Sequence, residues 1–168
     1  MRIYNSLETL LAAAKKDTSH AVVQALESDY AKSGLAQAIE ESVYSHYDSF
    51  SEERKKSPFI YTPRREDGGL SDPNNMHAVI YDELDELITG VLRTYAGRSL
   101  SDRTKPGANY FDAIDNIVVS GENYSWRNSE FFKSKEARDF YAYALANGLI
   151  SKDELINLIQ EVLKTKGW

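Results

Sequence analysis

The stretch His77-Ala78-Val79-Ile80-Tyr81, with the apolar run over residues 84–95 that comes after it, decides the fold class of this chain. Residues 77–81 are rich in β-branched and aromatic side chains and predict a β-strand. The second run is ambiguous, because its apolar spacing also suits an amphipathic helix. Thr89-Gly90-Val91 in its middle disfavours a helix interior and favours a strand that pairs back on the first. We therefore predict an antiparallel hairpin, with a helix over 84–95 as the alternative.

Two helical segments are predicted before this hairpin. Asn5 can cap a first helix, with Glu8 in capping-box position, and residues 17–19 (DTS) are expected to end it. A long helix is then predicted over residues 20–47, because apolar side chains recur on one face at helical spacing. The Ser-Gly pair at 33–34 predicts a kink or a split in the middle of that helix.

Three further helices are predicted after the hairpin, over residues 110–119, 134–147 and 151–166. Gly148 stands just past the second, where a left-handed C-cap favours glycine. Ser151 and Glu154 can form a capping box at the start of the third. The elements together predict an α+β fold in a single domain, 1–168, with long N-terminal helices, a small antiparallel sheet and C-terminal helices packed on it.

Residues 48–75 break the helical pattern and predict an extended arm or long loop. The stretch carries a mixed charge run at 52–56 (EERKK), and prolines and a Gly-Gly pair punctuate the rest. Phe59-Ile60-Tyr61 is a candidate short edge strand within it. Irregular segments of this length are uncommon in compact domains and are usually functional or disordered.

Composition excludes several classes of protein. The chain has 168 residues, a formal net charge of -6 and no cysteine, which excludes thiol redox chemistry and thiolate metal sites. The acidic balance disfavours a surface that grips nucleic acid. No apolar run approaches the ~20 residues of a membrane span, and the N-terminus lacks a signal-peptide pattern. Eleven tyrosines are many for this length and suit surfaces that a partner buries.

Motifs for catalysis or for cofactors are weak. The three histidines are scattered over different elements, so we expect no metal site. Carboxylate pairs such as Asp112 with Asp115, or Glu40 with Glu41, lie on polar helix faces and are interpreted as solvated charge. Gly68-Gly69 follows two arginines but lacks the Lys-Ser/Thr ending of a phosphate loop. We expect no enzyme activity and no cofactor.

Three segments, taken in order, resemble a known family. Val43-Tyr44-x-x-Tyr47, then an arginine-rich stretch and Gly68-Gly69-Leu70-x-Asp72, resemble the neck or tail-completion proteins of long-tailed bacteriophages. Residues 117–126 (IVVSGENYSW) resemble that family's Ile-x-x-Gly-x-Gly-Tyr loop, with Asn123 where a second glycine is usual. Residues 162–168 (VLKTKGW) resemble its basic tail, with Trp168 in place of an aliphatic residue. The resemblance covers roughly residues 36–168.

The resemblance implies a structural virion protein located in the neck and assembled in the host cytoplasm. It implies a homo-oligomeric ring, expected to be hexameric, between the head-closure ring and the tail, in contact with neighbouring neck and tail proteins. No membrane contact is expected, and nucleic acid is expected only as DNA passing through the ring lumen. The residues expected at protein contacts are Tyr44, Tyr47, Tyr61, Arg64, Arg65, Leu70, Tyr124 and Trp126.

Two other functions remain open from the sequence. A small acidic inhibitor or immunity protein, which binds a host or toxin target, suits a cysteine-free single domain of this size. A hydrolase that uses Asp112, Asp115 or His77 is the third hypothesis, although no motif supports it.

Overall fold

The computed structural model describes residues 4–45, 69–84, 87–94, 118–120 and 137–168. Its first element, helix α1, spans Leu7–Leu26. Ser6 caps this helix in a capping box: its Oγ accepts the Thr9 N–H at 3.2 Å, and Thr9 Oγ1 accepts the Ser6 N–H at 3.1 Å. The predicted cap was therefore wrong by one residue, since Ser6 and Thr9 take the places expected of Asn5 and Glu8.

Helix α1 does not end at residues 17–19, contrary to the prediction. Asp17 stays inside the helix because its carboxylate is bound by the far end of the chain and does not cap a new helix. The break comes instead at residues 27–28, and Ser28 caps helix α2, Asp29–Ile39. Ser28 Oγ accepts the Ala31 N–H at 3.2 Å. The single helix predicted over 20–47 is thus two helices, divided nearer its start than expected.

Gly34 does not interrupt α2, although the sequence predicted a kink there. It is buried inside the helix, and a Cβ at this position would collide with the Leu149 carbonyl oxygen and lie 2.8 Å from Ile150 Cγ1. The glycine therefore permits close packing of α2 against a later connection and does not bend the helix. A π-helical turn, Glu40–Tyr44, continues α2.

The hairpin prediction is confirmed. After a 3-10 turn, Pro73–Asn75, strand β1 (Met76–Leu84) pairs antiparallel with strand β2 (Leu87–Thr94). Met76 lies opposite Thr94 and Ile80 opposite Gly90, and the register shifts beyond Tyr81. One face of the hairpin packs on α1, where a Cβ on Gly90 would come within 2.6 Å of Val22 Cγ1. Gly90, which argued against a helix in the sequence, is needed for this contact.

The C-terminal helices are α3, Phe140–Ala146, and α4, Lys152–Thr165. Helix α3 starts later than the predicted residue 134, because 137–139 are not helical and Asp139 accepts the Ala142 N–H at 2.9 Å as its cap. Gly148 ends α3 in the left-handed region with φ 68°, as expected. Ser151 precedes α4 but makes no side-chain capping bond, so the predicted box with Glu154 is not formed.

The core cluster joins α2, the π-helical turn, the hairpin and α3, whereas α1 and α4 pack against it through the partly buried Leu26 and Leu155. Helix α4 lies along α1 and has no buried residue. The Ser151 N–H donates to Tyr30 Oη at 2.7 Å, whereas Lys166 reaches Asp17, so α4 runs antiparallel to α1. The predicted α+β class is confirmed. Residues 118–120 are helical. They comprise the last two residues of the helix predicted over 110–119 and one residue beyond it. The buried cluster comprises Ala31, Leu35, Ala38, Ile39, Val43, Tyr44, Leu70, Met76, Leu92, Val118, Phe140 and Ala144.

Candidate functional site

The candidate site is formed by the described residues on either side of the segment 46–68, which lies outside the described residues. On the outgoing side lies the π-helical turn, in which Val43 and Tyr44 are buried. Single π-helical turns are rare and are often found at functional sites. Ser42 Oγ donates to the Ala38 carbonyl at 2.6 Å, which supplies a side-chain donor to one carbonyl at this irregular helix end.

The returning chain is bonded to the same region. Ser71 Oγ donates to Glu40 Oε1 at 2.7 Å, and Thr94 Oγ1 donates to the Leu70 carbonyl at 2.7 Å in a buried position. Buried hydrogen bonds of this kind fix position strongly, because breaking one leaves an unsatisfied polar group. We call Glu40, Tyr44, Leu70, Ser71 and Thr94 the arm base.

Residues 69–75 belong to the body, although the predicted arm included them. Asn75 Nδ2 donates to the Gly69 carbonyl at 3.2 Å, and Asp72 Oδ1 accepts the Asn74 N–H at 2.9 Å as cap of the 3-10 turn. This turn leads directly into β1. The Gly-Leu-x-Asp motif at 69–72 is therefore a structural unit, in which Leu70 enters the core and Asp72 caps the turn.

Two predicted contact residues need correction. Tyr44 is 2% exposed and Leu70 is 3% exposed, and both lie in the one buried cluster of the described residues. They cannot meet a partner in this conformation, because the π-helical turn and the returning segment place both side chains among α2, α3 and the sheet. The other predicted contacts, Tyr47, Tyr61, Arg64, Arg65, Tyr124 and Trp126, lie outside the described residues.

The sequence predicted that the carboxylate of Glu41 is solvated, but the structure places it in two hydrogen bonds with other side chains. Glu41 Oε2 accepts the Tyr143 hydroxyl at 3.1 Å, and Oε1 accepts Gln37 Nε2 at 2.8 Å. The hydrogen bond to Glu41 raises the pKa of Tyr143 above 10.0, with desolvation and the negative charge of Glu41 acting in the same direction. Glu40 thus joins the π-helical turn to the returning segment through Ser71, and Glu41 joins the same turn to α3 through Tyr143.

Neither a cluster of metal-ligating side chains nor a membrane-spanning helix is found among the described residues. Among them no three His, Asp or Glu side chains converge at a distance that would hold a metal. His20 is exposed, whereas His77 Nδ1 lies 4.0 Å from Glu27 Oε1 at the edge of β1. Within the same ranges no helix combines the length and the apolar composition of a membrane span.

One cluster escaped the sequence reasoning altogether. Asp17, buried in the middle of α1, accepts Lys166 Nζ at 3.3 Å and Trp168 Nε1 at 2.9 Å. The Trp168 ring stacks on Tyr4, with the two centroids 6.1 Å apart. The partners of Asp17 lie 149 and 151 residues further along the chain, so no local pattern could have revealed them. The cluster holds the C-terminal end of α4 on the middle of α1.

Comparisons of the chain with protein-family models, curated proteins and solved structures found no match. The resemblance to phage neck proteins therefore rests on the sequence motifs.

Proposed function

We propose that this protein is a structural virion protein of the phage neck, which forms a ring between the head-closure ring and the tail. Its location is the virion, and its partners are further copies of itself with the adjoining neck and tail proteins. DNA passes through the lumen of the ring without sequence recognition. The role is one of binding and assembly, and we propose no catalytic step.

The arm base is the observation that carries this proposal. The Ser71 side chain bonds Glu40, and the Leu70 carbonyl bonds Thr94, so the two ends of the segment 46–68 are anchored in one region of the fold. A segment held at both ends loses less conformational entropy when it orders on a neighbour than a free tail would. Contact residues on such a segment can therefore contribute more of their burial energy to assembly.

The composition of that segment suits a protein interface. Tyr61, Arg64 and Arg65 lie within it, and tyrosine and arginine are enriched among the residues that dominate binding energy. In a ring each subunit presents one surface to the preceding copy and a different surface to the next. In the proposed ring, the segment 46–68 supplies one of these two surfaces and the folded body of the neighbouring copy supplies the other.

The first test is whether the protein is part of the particle. Mass spectrometry of purified virions should detect it in a stoichiometric ratio to the other neck proteins, and antibody labelling in the electron microscope should mark the neck. Its absence from mature particles would eliminate the role. Capture of one cellular target from a host lysate, with no virion signal, would favour the inhibitor hypothesis instead.

The second test addresses the arm. Arg64→Glu with Arg65→Glu should abolish the joining of heads to tails in a complementation assay, because it reverses two charges at the expected contact. Lys55→Glu with Lys56→Glu makes the same change in net charge within the same segment and serves as the matched control. Equal loss of particles from both double variants would show that only net charge matters, and no specific arm contact would then stand.

A further inference from the structure

Helix α4 lies on the outside of the core. Among the described residues the core cluster contains no side chain from α4, although the half-buried Leu155 packs against its edge. The apolar side chains Leu158, Ile159 and Val162 are also only half-buried, and α4 lies along α1. Elements with few buried apolar contacts open at a lower cost in free energy than the core does. Helix α4 can therefore open while the core stays intact.

The connection before α4 is fixed to the body up to residue 150. The N–H groups of Leu149 and Ile150 donate to the Ala144 carbonyl at 2.9 and 3.2 Å. Both residues also pack against Gly34. Ser151, the next residue, has an extended backbone, and its side chain makes no capping bond. Hinges are commonly a few residues at the end of an element, so a change of backbone angles at Ser151 can redirect the whole of α4.

A specific contact holds the far end of α4 in place. Asp17 of α1 is 8% exposed, and its two carboxylate oxygens accept Lys166 Nζ at 3.3 Å and Trp168 Nε1 at 2.9 Å. The Trp168 ring also stacks on Tyr4. A buried carboxylate that loses its donors is costly. When α4 opens, α1 is therefore left with a site that selects a lysine and an indole two residues apart.

A second copy of this chain carries the ligand that fits this site. Its α4 has the same half-buried stripe and the same Lys166 and Trp168, so exchange restores each contact between α1 and α4 across two chains. Exchange breaks the bond from the Ser151 N–H to Tyr30 Oη, which lies at the hinge itself. Because the helix contacts are the same in both states, only the hinge and the entropy of association distinguish them.

We infer that α4 is an exchangeable element, which docks on α1 of a second copy and links the two chains by domain swapping. Asp17 sets the register of the docked helix, because it binds Lys166 and Trp168 in the closed and in the exchanged state alike. Reciprocal exchange gives a dimer, whereas exchange from each copy to the next gives a longer assembly of linked subunits. The inference goes beyond the proposed neck role and does not rest on it.

Carbodiimide cross-linking tests the exchange in the native protein. The reagent condenses a carboxylate with an amine in contact with it, so it should join Asp17 to Lys166, whose charged atoms lie 3.3 Å apart. Isotopically heavy and light protein are incubated together at high concentration, diluted and cross-linked, and the peptides are identified by mass spectrometry. We expect Asp17–Lys166 pairs in which one peptide is heavy and the other light. Dilution removes transient encounters, whereas swapped chains separate only when α4 opens again.

The variant Trp168→Phe tests the contact at Asp17. It removes the indole N–H from the carboxylate but keeps an aromatic ring beside Tyr4 and leaves Lys166 available for cross-linking. Helix α4 should open more often, so mixed pairs should accumulate at least threefold faster than in the native protein. Their final proportion should stay within twofold, because the closed and the exchanged state lose the same bond. Glu161→Gln, which alters an exposed carboxylate of α4, is the matched control and should change neither quantity.

Mixed pairs between Lys166 and Asp29 measure accidental contact, because Asp29 is exposed and lies near the opposite end of α4. Asp17–Lys166 pairs that are entirely heavy or entirely light would overturn the exchange, as would mixed pairs no more frequent than those with Asp29. An unchanged rate in Trp168→Phe would overturn the role of Asp17 in holding α4. These results leave the neck role standing, and absence of the protein from virions would leave the exchange standing.

Discussion

The two C-terminal helices end alike but are held in opposite ways. Helix α3 has seven residues and α4 has fourteen, yet α3 contributes two buried side chains to the core and α4 contributes none. Phe140 is fully buried in α3, whereas α4 packs along α1 with only partly buried side chains and is also bonded near its two ends, at Tyr30 and at Asp17. Attachment to the fold thus depends on buried apolar area and specific end contacts, and it does not depend on helix length.

Both helices close with the same backbone motif. In α3 the Leu149 N–H donates to the Ala144 carbonyl at 2.9 Å, and in α4 the Trp168 N–H donates to the Leu163 carbonyl at 3.1 Å. The glycines before them, Gly148 and Gly167, have φ 68° and φ 85°. These are Schellman motifs, which any sequence with glycine at this position can form. The contacts beyond the motif differ, since the chain after Gly148 packs on Gly34 and the residue after Gly167 binds Asp17.

Removing the core anchor of α3 should have the largest effect. Phe140→Ala should lower the free energy of unfolding by about 3–5 kcal/mol, because it deletes a fully buried aromatic ring and leaves a cavity. Ile156→Ala in α4 is the comparison, and it should cost less than about 1 kcal/mol since that side chain is half exposed. Urea denaturation measures both. Similar losses from the two variants would refute the contrast between the helices.

The connection after α3 offers a sharper test. Gly34→Ala should lower the free energy of unfolding by about 1–3 kcal/mol, because the new methyl group would collide with the backbone of residue 149. Ser33→Ala, at the exposed neighbouring position of α2, should be neutral or slightly stabilising through helix propensity. If Gly34→Ala stabilised the protein as Ser33→Ala does, the tight packing of α2 on this connection would be wrong.

The end contact of α4 should matter less for global stability and more for local order. Asp17→Asn should lower the free energy of unfolding by about 1–2 kcal/mol, because a neutral amide cannot replace the carboxylate that accepts hydrogen bonds from Lys166 and Trp168. Amide hydrogen exchange should accelerate in the last turns of α4 and remain unchanged in α3. Glu161→Gln, an exposed carboxylate of α4, is the matched control. Uniform acceleration across both helices would contradict a local role.

The smallest effect concerns the exposed side of α3. The pKa of Tyr143 is raised by its hydrogen bond to Glu41, so the folded protein retains this proton at a pH where the unfolded chain has lost it. The stabilising contribution is therefore complete below pH 10 and is lost as the pH rises through the folded pKa. Difference absorbance titration of the native protein against Tyr143→Phe measures that pKa. Glu41→Gln should return it towards 10.0, and an unchanged pKa would contradict the contact.

The sequence was a good guide to element type and a poor guide to helix boundaries. The hairpin and the helix end at Gly148 can be predicted from local patterns of side chains and glycine. The predicted break at residues 17–19 failed because a polar residue inside a helix carries the same local signal as a cap, and only its distant partners distinguish the two. Likewise the pair Ser33-Gly34 is typical of a helix kink, but Gly34 instead allows α2 to pack closely against residues 149–150.

The candidate site shows the same limit. The motif Val-Tyr and the motif Gly-Leu-x-Asp drew attention to Tyr44 and Leu70, yet both side chains are core residues. A tyrosine in a polar stretch is equally compatible with a surface contact and with burial in a neighbouring layer. The hydrogen bond between Ser71 and Glu40 joins positions 31 residues apart and has no signature in the sequence.

The sequence by itself determined that this chain has an α+β fold, an acidic charge balance, no thiol chemistry and a helix that ends at Gly148, because these properties depend on composition and on neighbours within a few residues. The tertiary structure decided that Asp17 is an anchor, that Gly34 is a contact, and that Tyr44 and Leu70 lie inside. The reason is physical: the role of a polar residue, a glycine or an aromatic ring is set by the groups packed against it, and those partners come from distant parts of the chain.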